Sequence, residues 1–260
     1  MQDDVKKYLW WGIPIIVVAG LGAALYYGRK HKEAPVVAEQ VRTEPVATAP
    51  DQPSNHPIDA PSADKPLPSL GESDSALQES LAEVFGRPLE QFLVPKNIVR
   101  HVVVTVDNLP RKKTAIQMWP LHPTGGLPLV EGQDDALTLS AQNSTRYATL
   151  MAIVRNTDTR QVAALYKRYY PLFQEAYTEL GYPDAYFNNR LVEVIDHLLQ
   201  TPEVTGPIKL TQPGVFYQYA DPTLEELSAG QKLLIRMGSE NASTLKMKLR
   251  ELRREVAKRE

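Results

Sequence analysis

From Tyr8 to Gly28 the chain carries no charged side chain, and this run of 21 residues constrains the architecture more than any other feature. About 20 apolar residues cross a hydrocarbon core of ~30 Å as one helix. Ile15-Ile16-Val17-Val18 lies near its middle, with Trp10-Trp11 at one end and Tyr26-Tyr27 at the other. Amphipathic rings favour both headgroup boundaries. Pro14 sits near the start, where a missing N–H is tolerated. The pattern predicts a single transmembrane helix over 8–28, after a short tail of residues 1–7. The competing reading is a cleaved signal peptide with Gly22-Ala23-Ala24 as its small-residue site. The length of the run and the basic Arg29-Lys30-His31-Lys32 behind it favour a retained anchor.

Residues 34–72 hold eight of the 21 prolines, six acids, only Arg42 and Lys65 as bases, and no aromatic ring. Such a segment cannot bury enough apolar surface to offset its ordering entropy. In a polyproline-like state, at ~3.1 Å per residue, it could reach about 120 Å. The expectation is a basic flank and proline-rich linker over 29–72, tethering a domain away from a bilayer. Lys6 and Lys7 precede the span while Arg29, Lys30 and Lys32 follow it, a count that favours the carboxyl side inside. The anchor–tether–domain layout, common among bacterial envelope proteins, favours instead a single-pass inner-membrane protein with a periplasmic domain. The Lys/Arg count alone leaves the orientation open.

Beyond the tether the pattern is helical. Leu77, Leu81, Val84 and Phe85 follow helical spacing from about Ser73, and Gly86 is placed to stop the helix. Pro88 opens a short turn carrying Leu89, Phe92 and Leu93. Val102 to Val106 has strand propensity, yet Ile98, Val99, Val102, Val103, Val106 and Leu109 recur at helical spacing between Pro95 and Pro110. A shorter helix carries Tyr147, Leu150, Met151 and Val154. A long one starts near Thr159, is kinked at Pro171 and is capped by Gly181. Asp184 then suits an N-cap for a helix burying Phe187, Leu191, Val194, Ile195 and Leu198. Ile208–Leu210 and Val215–Tyr219 flank Gln212-Pro213-Gly214 as a hairpin. Helix resumes through Leu224, Leu227, Leu233, Leu234 and Met237. The predicted fold is a mainly α compact domain over 73–238 with a possible small β-hairpin, followed by a basic amphipathic helix over 239–260.

Several blocks resemble a known family. They are Thr105-Val106-Asp107-Asn108-Leu109-Pro110-Arg111; Leu165-Tyr166-Lys167-Arg168-Tyr169-Tyr170-Pro171-Leu172-Phe173 running into Glu179-Leu180-Gly181-Tyr182-Pro183; Asn188-Asn189-Arg190-Leu191-Val192-Glu193-Val194-Ile195-Asp196-His197-Leu198-Leu199; and Ser228-Ala229-Gly230-Gln231-Lys232-Leu233-Leu234. Together they resemble the bacterial domain-of-unknown-function family 3014 over most of residues 73–255. The resemblance implies an anchored envelope protein with a proline-rich linker, and it brings no activity, cofactor or catalytic residue.

Composition narrows the chemistry. The absence of cysteine excludes disulfides, thiolate metal sites and a cysteine nucleophile. A net charge of -2 exerts no global pull on nucleic acid, which makes it an unlikely partner. His31, His56, His101, His122 and His197 are scattered, none at metal-ligand spacing with another. No metal or cofactor is expected, since phosphate loop, nucleophile elbow and dinucleotide fingerprint are all missing.

The weak catalytic candidates are Glu193 and His197, neighbours at i, i+4, with Arg190 three residues before Glu193. An envelope hydrolase using them competes with a plain salt-bridge network on a helix surface. Between Pro110 and Asp135, Arg111, Lys112, Lys113, Trp119 and His122 suit a groove for an envelope protein, peptide or glycan partner, the basic triplet holding a carboxylate. The alternative adds Thr114–Trp119 as a strand to the hairpin and packs Trp119 in the core. Tyr182, Tyr186, Tyr217 and Tyr219 are pocket candidates.

Leu245, Leu249, Leu252 and Val256 form a narrow a/d-type seam. It docks on the domain or pairs with a second copy as a homo-oligomer. The Lys/Arg-rich segment from Lys246 to Arg259 could instead meet an anionic surface. The leading expectation is a membrane-tethered, non-enzymatic interaction or scaffold module, with a lipid bilayer as the partner of 8–28.

Overall fold

The computed structural model describes residue 58 and residues 66–124, 128–133 and 136–257, all within one compact unit spanning 51–260. The expected anchor over 8–28 and most of the tether lie outside the described residues. Among those described, no helix is long and apolar enough to cross a membrane.

Eight helices and two short antiparallel ribbons make up the described domain: α1 Asp74–Phe85, α2 Ile98–Asn108, β1 Val130–Glu131, β2 Thr138–Leu139, α3 Ala148–Asn156, α4 Thr159–Glu179, α5 Phe187–Leu199, β3 Leu210–Thr211, β4 Gln218–Tyr219, α6 Pro222–Glu225, α7 Ala229–Arg236 and α8 Ser239–Val256. The mainly helical class with a small hairpin is therefore as expected. Helix wins over strand propensity at Val102–Val106 because the i, i+4 stripe Val99–Val103 is buried against α4. Asp74 on α1 supplies the missing cap of α2: its carboxylate accepts the Asn97 and Ile98 N–H groups at 2.8 and 2.9 Å. Gly86 ends α1 with a positive φ of 80°, a conformation that favours glycine.

The packed chain starts N-terminal to Ser73. Leu70 is buried, and Leu67 and Ile58 pack on the largest core cluster. That cluster joins α1, α2, α4 and the start of α5, through Leu77, Ile98, Val99, Val103, Tyr169, Phe173, Tyr177 and Phe187. Tyr169 bonds at 3.0 Å to the Ala76 carbonyl and to the Ser80 hydroxyl. A second cluster, around Met151, Val194, Leu198, Leu234 and Met237, takes in Leu245 and Leu249 of α8.

Three local expectations are corrected. First, Asp184 is not the cap of α5, which starts at Phe187 with Tyr186 in the cap position. Gln174 on α4 does the capping instead, accepting the Phe187 N–H and donating to the Ala185 carbonyl, both at 2.9 Å. Second, the stretch from Leu224 to Met237 is two helices. Asp221 caps α6, and Ser228 with Gln231 forms a capping box that starts α7. Third, Thr114–Trp119 adds no strand to the hairpin; it contains a 3-10 turn at Ile116–Met118. The hairpin's neighbour is β2, through a bridge from Thr138 to Lys209. The segment after Pro110 pairs elsewhere, Val94 donating to the Pro120 carbonyl and His122 to that of Phe92.

Gly230 lets α7 approach α5 and the end of α2 closely. A Cβ there would lie 2.6 Å from Leu198 Cδ2 and 3.1 Å from the Leu109 carbonyl oxygen. That carbonyl also accepts the Gly230 N–H at 3.0 Å, so it cannot retreat without losing the bond. Gly230→Ala should destabilise the domain by about 1–3 kcal/mol, measurable as a lowered midpoint in urea with an unchanged slope.

Candidate functional site

The C-terminal end of α2, one face of α5 and the first turn of α7 meet, and with them three of the sequence blocks that carry the resemblance. Asp107 continues the buried Val99–Val103 stripe by one turn, which takes its carboxylate inside; the side chain is 4 % exposed. A buried carboxylate needs a cation and hydrogen bonds. Arg190 supplies both: Nε donates to Asp107 Oδ1 at 3.0 Å and Nη2 to the Asp107 backbone carbonyl at 2.9 Å. Its remaining arm, Nη1, donates to Glu193 Oε1 at 2.9 Å. Arg111 reaches back one turn to Asp107 Oδ2. Burial works against the Arg190 charge, but the hydrogen bond to Glu193 and the charges of Glu193 and Asp107 outweigh it and raise the guanidinium's pKa. Tyr177 stacks on Tyr182 at 4.6 Å, and burial, reinforced by the Asp107 charge, pushes its phenol up.

His197, one turn beyond Glu193, has a different partner. Its Nε2 lies 2.9 Å from Ser228 Oγ, the relation a serine nucleophile has to its base. The surroundings do not complete that chemistry. Ser228 is buried, and its hydroxyl accepts the Gln231 N–H as a helix cap. The N–H groups of the next two residues, Ala229 and Gly230, donate to the carbonyls of Arg111 and Leu109. The donors that would form an oxyanion hole are thus occupied. Gln231 also donates from its side chain to the His197 carbonyl. The catalytic candidates are therefore divided: Glu193, largely exposed, answers Arg190, while His197 answers α7.

The second group of candidates is also dispersed. Arg111 is committed to Asp107, and Lys112 pairs with Glu226. Lys113 and His122 are exposed and Trp119 is half-buried, its segment held by a bond from Thr105 to the Met118 carbonyl. Tyr182 lies against Tyr177 at the turn into α5, and Tyr219 is buried with its hydroxyl toward the Lys232 carbonyl. Tyr186 and Tyr217 are exposed. Among the described residues no group of three His, Asp or Glu could hold a metal ion.

Helix α8 docks on the domain. Val256 is buried and Leu245 and Leu249 join the second core cluster; Leu252 is half-buried. Much of its charge faces inward too. Lys246 is buried with Nζ on the Thr201 carbonyl, Lys248 reaches the Thr157 carbonyl, and Arg253 holds Asp196 through both its Nε and Nη2. Thr201 and Thr157 lie just past the ends of α5 and α3, where a cation is favoured by the helix dipole.

Asp107 and Ser228 were not among the site residues expected from sequence, although both had readable signals. Asp107 sits in phase with Val99 and Val103, and Ser228 precedes Gln231 by three residues, the capping-box spacing.

These features define a small helical domain whose polar centre is an internal joint of paired groups. The chain belongs to the family described as a protein of unknown function (DUF3014), which matches residues 98–253. That match includes all three elements of the joint. No match was found among curated proteins or among solved structures.

Proposed function

We propose that the chain is a non-enzymatic interaction module, held at the bacterial inner membrane by residues 8–28 and carried into the periplasm on its proline-rich tether. The observation that supports this is the pairing within the joint. Asp107, Arg190, Glu193, His197 and Ser228 are engaged with one another or with backbone, so they fasten α2, α5 and α7 and leave no activated nucleophile. Contact with a partner then falls to the surface outside the joint. The inward-facing Lys246, Lys248 and Arg253 likewise favour α8 as part of the domain over α8 as an anionic-surface binder.

The location is tested by fusing alkaline phosphatase after Glu260, since that enzyme is active only outside the cytoplasm. The expected result is full activity in the membrane fraction. A stable, membrane-bound but inactive fusion overturns the periplasmic reading.

A further inference from the structure

Among the exposed large apolar side chains of the described domain, three are consecutive, and they include the two most exposed. Between β3 and β4, Val215 is 85 % exposed and Phe216 81 %, with Tyr217 exposed beside them. Leu210 and Tyr219 at the base of the ribbon are buried on Ile235, so the tip projects from a fixed support. From Leu210 to Ala220 no residue is charged. Thr211, Gln212 and Gln218, which flank the three apolar side chains in the chain, are exposed and uncharged.

We propose that the Val215-Phe216-Tyr217 tip docks shallowly into the lipid bilayer that holds the chain's own amino-terminal segment; this inference rests on the membrane-tethered reading above. Three observations favour lipid as the occupant. The tip is aromatic and aliphatic and is flanked by exposed uncharged polar residues, a composition favoured at a headgroup boundary. Its lack of charge removes the penalty that an acidic or basic loop meets on entering that layer. Reach is the third. Residues 29–57 could span up to about 90 Å, whereas a domain of this length has a radius of gyration of about 16 Å. The tip can therefore contact the same bilayer. Three side chains bind weakly from free solution, but a tether converts docking into an intramolecular step at roughly millimolar effective concentration. At headgroup depth the loop's backbone groups keep water as a partner, which the hydrocarbon core would deny them.

The cysteine-free sequence makes the test direct. The full chain carrying Val215→Cys, labelled with an environment-sensitive fluorophore, is reconstituted at low density in phosphatidylcholine vesicles. Gln161→Cys on the exposed side of α4 is the control, and flotation at alkaline pH reports anchoring. The expected result is a blue-shifted label at 215 that loses at least half its emission in vesicles of brominated phosphatidylcholine, with the label at 161 unchanged. A chain that floats but whose 215 label is unshifted and unquenched overturns the docking proposal alone. A blue shift that appears only at high protein density, without bromine quenching, assigns the tip to a second copy and also overturns it. A chain that fails to float removes the anchor, and both readings fall.

Discussion

Asp107→Ala is expected to destabilise the domain by about 3 kcal/mol, the lower end of the range for breaking a buried ion pair by removing one partner. The effect is large because Arg190, 19 % exposed, keeps its charge but loses the carboxylate that offsets its desolvation. It is not larger because Glu193 and the Asp107 carbonyl continue to accept from the same guanidinium. For a domain of this size the midpoint of thermal unfolding should fall by roughly 6–12 °C. Arg111→Ala removes the other cation on Asp107, yet that side chain is 54 % exposed. It should cost less than about 1 kcal/mol, as solvent-screened pairs do. Equal losses in the two variants would mean that burial does not decide the energetics of the joint.

Phe187→Ala should match or exceed that loss, at about 3–5 kcal/mol. The ring is 1 % exposed and stacks on Phe173 at 5.8 Å and 16°, with Tyr177 and Tyr166 tilted against it at 5.5 and 6.4 Å. Truncation leaves a cavity between α4 and α5 that these large side chains cannot close without leaving their rotamers. Phe216→Ala is the matched control. Being four-fifths exposed at the hairpin tip, it should change stability by no more than about 0.5 kcal/mol. Urea unfolding of both variants separates a ring that holds the fold from one that faces outward.

How far the fold was legible depended on the kind of signal. Phe187, Val194, Ile195 and Leu198 announce their buried face through spacing, because side chains three and four apart share a helix surface. The same rule marks the strand-prone Val102–Val106 stretch as helix, within Ile98–Asn108. Gln174 capping α5 left no such trace, since its contact is made between two helices rather than within one. The β1–β2 ribbon is illegible for a related reason: two-residue strands carry no period, and the bonds of Leu137 and Leu139 to Leu210 and Ile208 are tertiary. In the site, spacing on α5 marks Arg190, Glu193 and His197 and the Arg190–Glu193 pair, but not Asp107 and Ser228, which meet Arg190 and His197 from α2 and α7. Spacing on α5 suggests that Glu193 and His197 meet each other, whereas Glu193 pairs with Arg190 on the same helix and His197 with Ser228 at the start of α7. The lysines of α8 show the same limit. As text, Lys246 and Lys248 read as a basic surface; in the fold they close the ends of two helices.

In the proposed function, the polar groups between α2, α5 and α7 fasten helices rather than perform chemistry. A double-mutant cycle on Asp107 and Arg190, using Asp107→Leu and Arg190→Met, tests it most directly. If the pair is a joint, the double variant should be more stable than the sum of the single losses by about 1–3 kcal/mol, because neither charge is then left buried alone. Single losses that add within about 0.5 kcal/mol, as independent sites do, would contradict the account.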